Sequence, residues 1–153
     1  ARAHDVRMGR ESQSILFINV HAPSRGNYEA LVMQLLDAVE EKFGAENKII
    51  AGDFNLTTAY RQSGETIKNT TGELVILERM QGKQGLINAW QFLHPQEPLP
   101  QTLRWSNKPL EPYHCDGIFI SKTLLPYLQQ TEVICHDDWT TLSDHNPIVA
   151  TFL

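Results

Sequence analysis

The sequence is poor in cysteine: Cys115 and Cys135 are the only two among 153 residues. Two thiols cannot build the disulfide framework of a small secreted scaffold, which predicts free buried thiols in a reducing compartment, the cytoplasm. Long hydrophobic runs are missing as well. No stretch reaches the ~20 apolar residues of a membrane-spanning helix, and the segment Ala1 to Gln13 is polar, without the apolar centre of a signal peptide. Positive charge is short: 13 Lys and Arg against 18 Asp and Glu leave a net charge of -5. A protein that holds nucleic acid over its whole surface is more often basic, so a general nucleic-acid binder is disfavoured. A metal site is not disfavoured, because divalent cations call for carboxylates. Repeats, low-complexity tracts and linkers are absent, and the length suits a single domain, 1–153, with a core of its own. The first residue is not Met, as in a processed form or a fragment. Asn69-Thr70-Thr71 matches a glycosylation sequon, a pattern that also arises by chance.

What is present reads as α/β. Arg7-Met8 and Ser14 to His21 are predicted strands around the polar turn Gly9-Arg10-Glu11-Ser12, the second built on the apolar run Ile15 to Val20. A helix is predicted from Tyr28 to Phe43. Leu31, Leu35 and Val39 repeat along one face, widened by Val32, Leu36 and Phe43, with Asn27 as N-cap and Gly44 as stop. Lys48 to Ala51 is the next strand and runs into Gly52-Asp53-Phe54-Asn55. Strand, helix and strand in this order predict a parallel crossover, and ligands gather beyond the carboxyl ends of such strands, where His21 and Asp53 stand. Leu56 to Thr71 is polar and irregular. Helices are expected at Glu73 to Gln81 and Leu86 to Leu93, then a proline-rich loop from His94 to Gln101. Thr102 to Trp105, Tyr113 to Ile120, Glu132 to His136 and Ile148 to Leu153 read as strands, with a short helical connector at Leu124 to Leu128.

Several polar residues stand out against this frame. On an extended chain Asp53 and Asn55 point the same way, so a carboxylate and an amide can orient a water and hold a phosphate oxygen; equally, both can simply shape the turn. Asp116 lies on a mostly apolar strand face with His114, Ile118 and Ile120. A carboxylate there needs a partner, which an imidazole supplies and a structural salt bridge or cap would also supply. Ser143-Asp144-His145 offers both kinds of group. Asp144 is a hard oxygen ligand for Mg2+ or Mn2+. His145 can pair with Asp116 and either take a proton from water or bind a phosphate; alternatively, the triplet is the turn before the last strand. His21 can serve a leaving group or a phosphate, or be an ordinary strand-end histidine. Trp105 and Trp139 can stack on a base or a lipid headgroup, or pack into the protein.

Taken together, Asn19-Val20-His21-Ala22-Pro23, Gly52-Asp53-Phe54-Asn55, Cys115 to Ser121 and Ser143 to Ala150 resemble, in order, the endonuclease/exonuclease/phosphatase superfamily, whose fold is that of pancreatic-type deoxyribonuclease. The resemblance runs from about Ser14 to the end. Gly85 to Trp90 and Thr102 to Trp105 also resemble family segments. It implies half or more of a four-layer α-β-β-α sandwich and a divalent-metal-dependent phosphoester hydrolase, acting on phosphodiesters. By this resemblance Asp53 orients the nucleophilic water and Asn55 binds phosphate. Asp116 orients His145, and His21 serves the leaving group. Asp144, with Asp53 and Asn55, faces Mg2+ or Mn2+. The candidate substrate contacts are Asn55, His21, Trp105 and His114, the last standing where many members carry Arg.

Nothing before Ser14 resembles the family's first half, which supplies an Asn and a metal-binding Glu. The chain therefore reads as the C-terminal portion of the domain, inactive or nearly so alone, with an apolar sheet face that should associate with the absent half or with itself. The substrate is a phosphoester: nucleic acid, a phospholipid headgroup or a small phosphodiester. The Trp-x-Asp-Arg signature of inositol-phosphate phosphatases is absent around Asp116, and the stretch after Asn55 does not clearly match abasic-site enzymes. A non-catalytic binding or scaffold module that kept the fold is the alternative. A zinc hydrolase lacks His-x-His or His-x-x-x-His spacing.

Overall fold

The computed structural model describes residues 2–8, 11–44, 47–108 and 110–153. Strands β1 (Arg2–Met8) and β2 (Glu11–His21) pair antiparallel. The predicted turn residues Gly9 and Arg10 lie outside the described residues, while Glu11 and Ser12 belong to β2. Helix α1 (Tyr28–Phe43) then carries the chain back to β3 (Asn47–Asp53), which runs parallel to β2 as the crossover predicted. Helix α2 (Thr71–Gln81), the short strand β4 (Leu86–Asn88) and helix α3 (Ala89–Leu93) follow. Strand β5 (Asp116–Ser121) inserts between β3 and β4, giving the sheet order β1-β2-β3-β5-β4. A 3-10 turn (Lys122–Tyr127), β6 (Leu128–Val133), α4 (Asp137–Leu142) and β7 (Ile148–Phe152) close the chain, β6 and β7 forming a separate antiparallel pair.

Alternation divides the large sheet into two unlike faces. Leu16, Ile18, Val20, Ile50 and Phe119 pack with Val32, Leu36 and Val39 of α1 and Ile76, Leu77 and Met80 of α2. Ile15, Ile49 and Ile120 point the other way, toward Ala89, Leu124, Leu128 and the partly buried Ala150 and Phe152 of β7. Phe17 shares that second face and is 38% exposed. The parity that sends Ile15, Ile49 and Ile120 to this face sends His21, Asp53 and Asp116 there too.

Local chemistry explains the element ends. Asn27 caps α1, its side chain accepting from the Ala30 amide at 3.0 Å. At the other end, the buried Lys48 ammonium donates to the Phe43 and Gly44 carbonyls at 2.8 and 3.1 Å. It satisfies oxygens that have no helical partner and places a cation at the negative end of the dipole. Thr70 and Glu73 make a reciprocal capping box on α2. Glu73 also accepts from the Thr57 amide at 2.7 Å, tying the 56–58 loop to the helix.

Some sequence expectations need correction. Leu31 is 46% exposed, and the buried line of α1 is Val32, Leu36 and Val39, because the sheet meets the helix one position round. Leu86 to Leu93 is not one helix: Leu86, Ile87 and Asn88 pair with β5, and Asn88 then caps α3. Thr102 to Trp105 forms only isolated bridges from Leu103 to Tyr113 and to His145. The predicted strand at Glu132 to His136 lies earlier, at Leu128–Val133, where a bulge between Leu128 and Gln130 interrupts simple alternation. Leu56 to Thr70 is irregular, with Thr71 already the first residue of α2, but Leu56, Thr57, Thr58 and Ala59 are buried. Cys115 is buried as expected, whereas Cys135 is exposed.

Candidate active site

The pairing register places His21 opposite Asp53 and Asp53 opposite Asp116. Three polar residues thus form one row across β2, β3 and β5. In the next row, Gly52 opposes Gly117. A Cβ on Gly52 would stand 1.9 Å from the Val20 carbonyl oxygen, and one on Gly117 would stand 2.8 Å from the Thr58 side chain. The two glycines let the strands and the 54–58 loop close under the row. Thr58 completes the closure, donating from its hydroxyl to the Asp116 carbonyl at 2.9 Å.

Asp53 and Asn55 do converge, though not through an extended chain. Asn55 adopts φ +51, a left-handed turn that Asn tolerates. Its amide N–H donates to Asp53 Oδ1 at 2.8 Å, and its side-chain Nδ2 donates to Asp53 Oδ2 at 3.0 Å and to the Ala22 carbonyl at 2.6 Å. Turn shaping and convergence of the two side chains are one arrangement.

Asp116 and His145 meet as well, with His145 Nδ1 2.8 Å from Asp116 Oδ2. The hydrogen bond to Asp116 raises the histidine pKa above its usual value. The charges of Asp116, Asp53 and Asp144 add to this, outweighing partial burial. The cationic imidazolium is therefore more favoured than in an ordinary histidine. Asp116 is held from behind by Thr102, whose hydroxyl accepts from the Cys115 and Asp116 amides at 3.0 and 3.1 Å. The Ser143–Asn146 turn is held by the same segment. Arg104 N donates to the Asp144 carbonyl at 2.8 Å, and its guanidinium donates to the Ser143 carbonyl at 2.5 Å and to the Asn146 side chain. Asn146 donates to the Gln101 carbonyl at 2.8 Å. Thr102, Arg104 and Asn146 were not singled out in the sequence as supports of the site. Their contribution depends on a non-local crossing that no periodicity announces.

These side chains open on a cleft of about 780 Å³, lined by His21, Asp53, Asn55, Asp144 and His145 together with Trp105, Arg25 and Lys68. Trp105 is 43% exposed, its ring edge-on to Tyr113 at 5.8 Å, so it is available for stacking rather than committed to the core. Trp139, at 38% exposure, is not core either. Arg25 and Lys68 add exposed cations at the cleft that sequence reasoning missed; only the fold brings them beside the carboxylates.

His114 departs from expectation. It is 1% exposed, its Nδ1 bonds the Pro100 carbonyl at 2.8 Å, and its ring lies 6.0 Å from that of Trp90. Burial pushes its pKa down to about 4. It is a buried, neutral wall residue of the cleft, with almost no surface for a substrate. Neighbouring Cys115 is also buried, and burial with the nearby Asp116 and Asp53 carboxylates pushes its thiol pKa up, keeping it protonated. The sequon residue Asn69 is engaged on both sides of its amide, with Arg61 N and the Ala59 carbonyl.

The donor chemistry suits a hard divalent cation. Mg2+ needs only one or two protein carboxylates, completed by waters and substrate oxygens, and Asp144 and Asp53 both line the cleft.

The chain has the fold of the endonuclease/exonuclease/phosphatase superfamily, the deoxyribonuclease-like fold. Among solved structures it is similar to an AP endonuclease from Archaeoglobus fulgidus, with a TM-score of 0.70 and 17% identity over 99% of this chain and 71% of that one. A 3′ phosphatase from Neisseria bound to product DNA hairpin gives 0.65 and 18%, over 93% of this chain and 64% of that one. The endonuclease domain of a telomere-specific non-LTR retrotransposon gives 0.66 and 18%, over 98% and 60%. No family model and no curated protein matches the chain. Identities this low speak for the fold alone. Among the described residues, no helix is long and apolar enough to cross a membrane.

Proposed function

We propose that the chain is the C-terminal catalytic portion of a divalent-metal-dependent phosphodiester hydrolase whose substrate is nucleic acid. The carrying observation is the meeting, in one cleft, of the Asp116–His145 pair with the Asp53–Asn55 pair. The role of His145 follows from charge. Pairing with Asp116 favours the protonated form of His145 relative to an ordinary histidine, which suits hydrogen-bond donation to a phosphoryl oxygen. Asp53 is then the group that orients the attacking water and accepts its proton, with Asn55 holding the carboxylate in place. Asn55 can reach a phosphate only by giving up one of its two present acceptors. His21, exposed at the end of its strand, is placed to donate a proton to the departing oxygen. Asp144 and Asp53 would hold Mg2+ or Mn2+, which when bound stabilises negative charge on the phosphoryl group. Nucleic acid is favoured among phosphoesters because Trp105 offers a stacking surface beside Arg25 and Lys68.

The fragment reading is supported by the part-covered sheet face that carries Phe17 and Ile118, and by the 60–71% of each neighbour that the chain spans. The deciding experiment compares Mg2+-dependent cleavage of a DNA duplex by this chain and by a longer polypeptide carrying the rest of the domain. Cleavage by the longer form only, lost on His145→Ala, is the expected result. Equal cleavage by the chain alone would overturn the fragment reading. Two folded but inactive forms would overturn the hydrolase reading in favour of a binding or scaffold module.

A further inference from the structure

The hydrolytic scheme makes no use of the Cys115 thiol, although it lies against the Asp116–His145 pair. Cys115 Sγ is 3.7 Å from Asp116 Oδ2. One donor atom from each of Cys115, Asp116 and His145 falls within 4.8 Å of the other two. The three donors are not loosely disposed. Thr102 fixes the Cys115 and Asp116 backbone, and the crossing of residues 102–104 fixes the turn that carries His145.

A thiol, an imidazole and a carboxylate are the wrong set for Mg2+, which takes oxygen ligands, and the right set for Zn2+. On a tetrahedral ion with bonds of about 2.0–2.3 Å, two donors stand roughly 3.6 Å apart. Cys115 Sγ and Asp116 Oδ2 already stand at 3.7 Å. The His145 donor and the thiol need to close by about 1.2 Å at most, and the 2.8 Å hydrogen bond between His145 Nδ1 and Asp116 Oδ2 must open by somewhat less, all side-chain adjustments. Cys115 and His145 both line the open cleft, so the fourth position can be filled by water.

We infer that Cys115, Asp116 and His145 form a binding site for a thiophilic divalent cation, Zn2+, separate in ligand chemistry from the oxygen-held ion of the hydrolase. The ion replaces the thiol proton of Cys115, and His145 ligates as the neutral ring after releasing its second ring proton; both protons leave to solvent. The existence of the site does not depend on the hydrolase reading. Its consequence does: Zn2+ there takes Asp116 and His145 out of service and shuts hydrolysis down.

The test is titration of the purified chain with Co2+, followed by near-ultraviolet and visible absorption. The expected result is saturation at one equivalent with a thiolate-to-cobalt charge-transfer band that Zn2+ displaces. Cys135→Ser keeps the band and Cys115→Ser loses it. Because Cys115 is buried and its substitution can disturb folding, His145→Ala is the second arm. His145 is 32% exposed at its side chain, and its removal should weaken Co2+ binding about tenfold or more. No band in the unaltered chain, a band that survives Cys115→Ser, or an affinity untouched by His145→Ala would each overturn the site. None of these readouts uses hydrolysis, so failure here and failure of the hydrolase reading are told apart.

Discussion

His145 Nδ1 and Asp116 Oδ2 stand 2.8 Å apart although 29 positions separate them in the chain. The carboxylate raises the pKa of the ring. Asp116→Asn should therefore bring the His145 titration, followed by histidine NMR, back down toward the ordinary value. Because the folded pKa lies above the unfolded one, the pair stabilises the protein fully below the unfolded pKa of about 6.5. That contribution is lost as pH rises through the folded pKa. The stability difference between the parent and Asp116→Asn should be larger at acidic than at alkaline pH; a pH-independent difference would contradict the pairing.

His114 works in the opposite direction. Burial lowers its pKa to about 4, so between the unfolded value of about 6.5 and 4 only the unfolded chain binds the proton. The protein should lose roughly 3 kcal/mol from this group as pH falls through that window. His114→Gln should flatten that loss in urea denaturation measured from pH 7 to pH 4.

Thr102 is fully buried and accepts from two amides at the entry to β5. Thr102→Val keeps the volume and orphans both donors, which should cost about 2 kcal/mol. Hydrogen exchange at the Asp116 amide should accelerate with it; unchanged protection would show that the hydroxyl is not holding the strand.

Gly52 and Gly26 separate steric contact from backbone strain. Both have positive φ, +138 and +86, but a Cβ at Gly52 meets the Val20 carbonyl at 1.9 Å, while nothing lies within 4 Å at Gly26. Gly26→Ala should cost about 1 kcal/mol and Gly52→Ala roughly 3 kcal/mol or more by chemical denaturation. Equal costs would mean that the strands can part without penalty.

Trp105→Ala should weaken oligonucleotide binding by about 1–3 kcal/mol while shifting stability by no more than about 0.5 kcal/mol. Fluorescence titration with a short single strand checks the first and thermal denaturation the second. An unchanged affinity would remove Trp105 from the proposed interface.

Elements whose causes are local can be read from the residues alone. Helix α1 was legible from its apolar repeat and its Asn27 cap, and the parallel crossover from the order of strand, helix and strand. The convergence of His21, Asp53, Asn55, Asp144 and His145 on one cleft followed from motifs that sit at strand ends. Where side-chain contacts cross long distances, local pattern was silent. β4 looked helical because three apolar and polar residues carry no period of their own until β5 pairs with them. β6 was displaced because a bulge hid its alternation.

The exposure of each candidate likewise depends on long-range packing. His114 and Trp105 are both plausible substrate contacts as letters, yet packing against Trp90 and Pro100 buries the one while the other stays in the cleft. Arg25 and Lys68 join the site, and Thr102 and Arg104 brace it, because loops far apart in sequence cross there. Local sequence sets which backbone a segment prefers; which face meets another, and what remains open to solvent, depends on partners supplied by the whole chain.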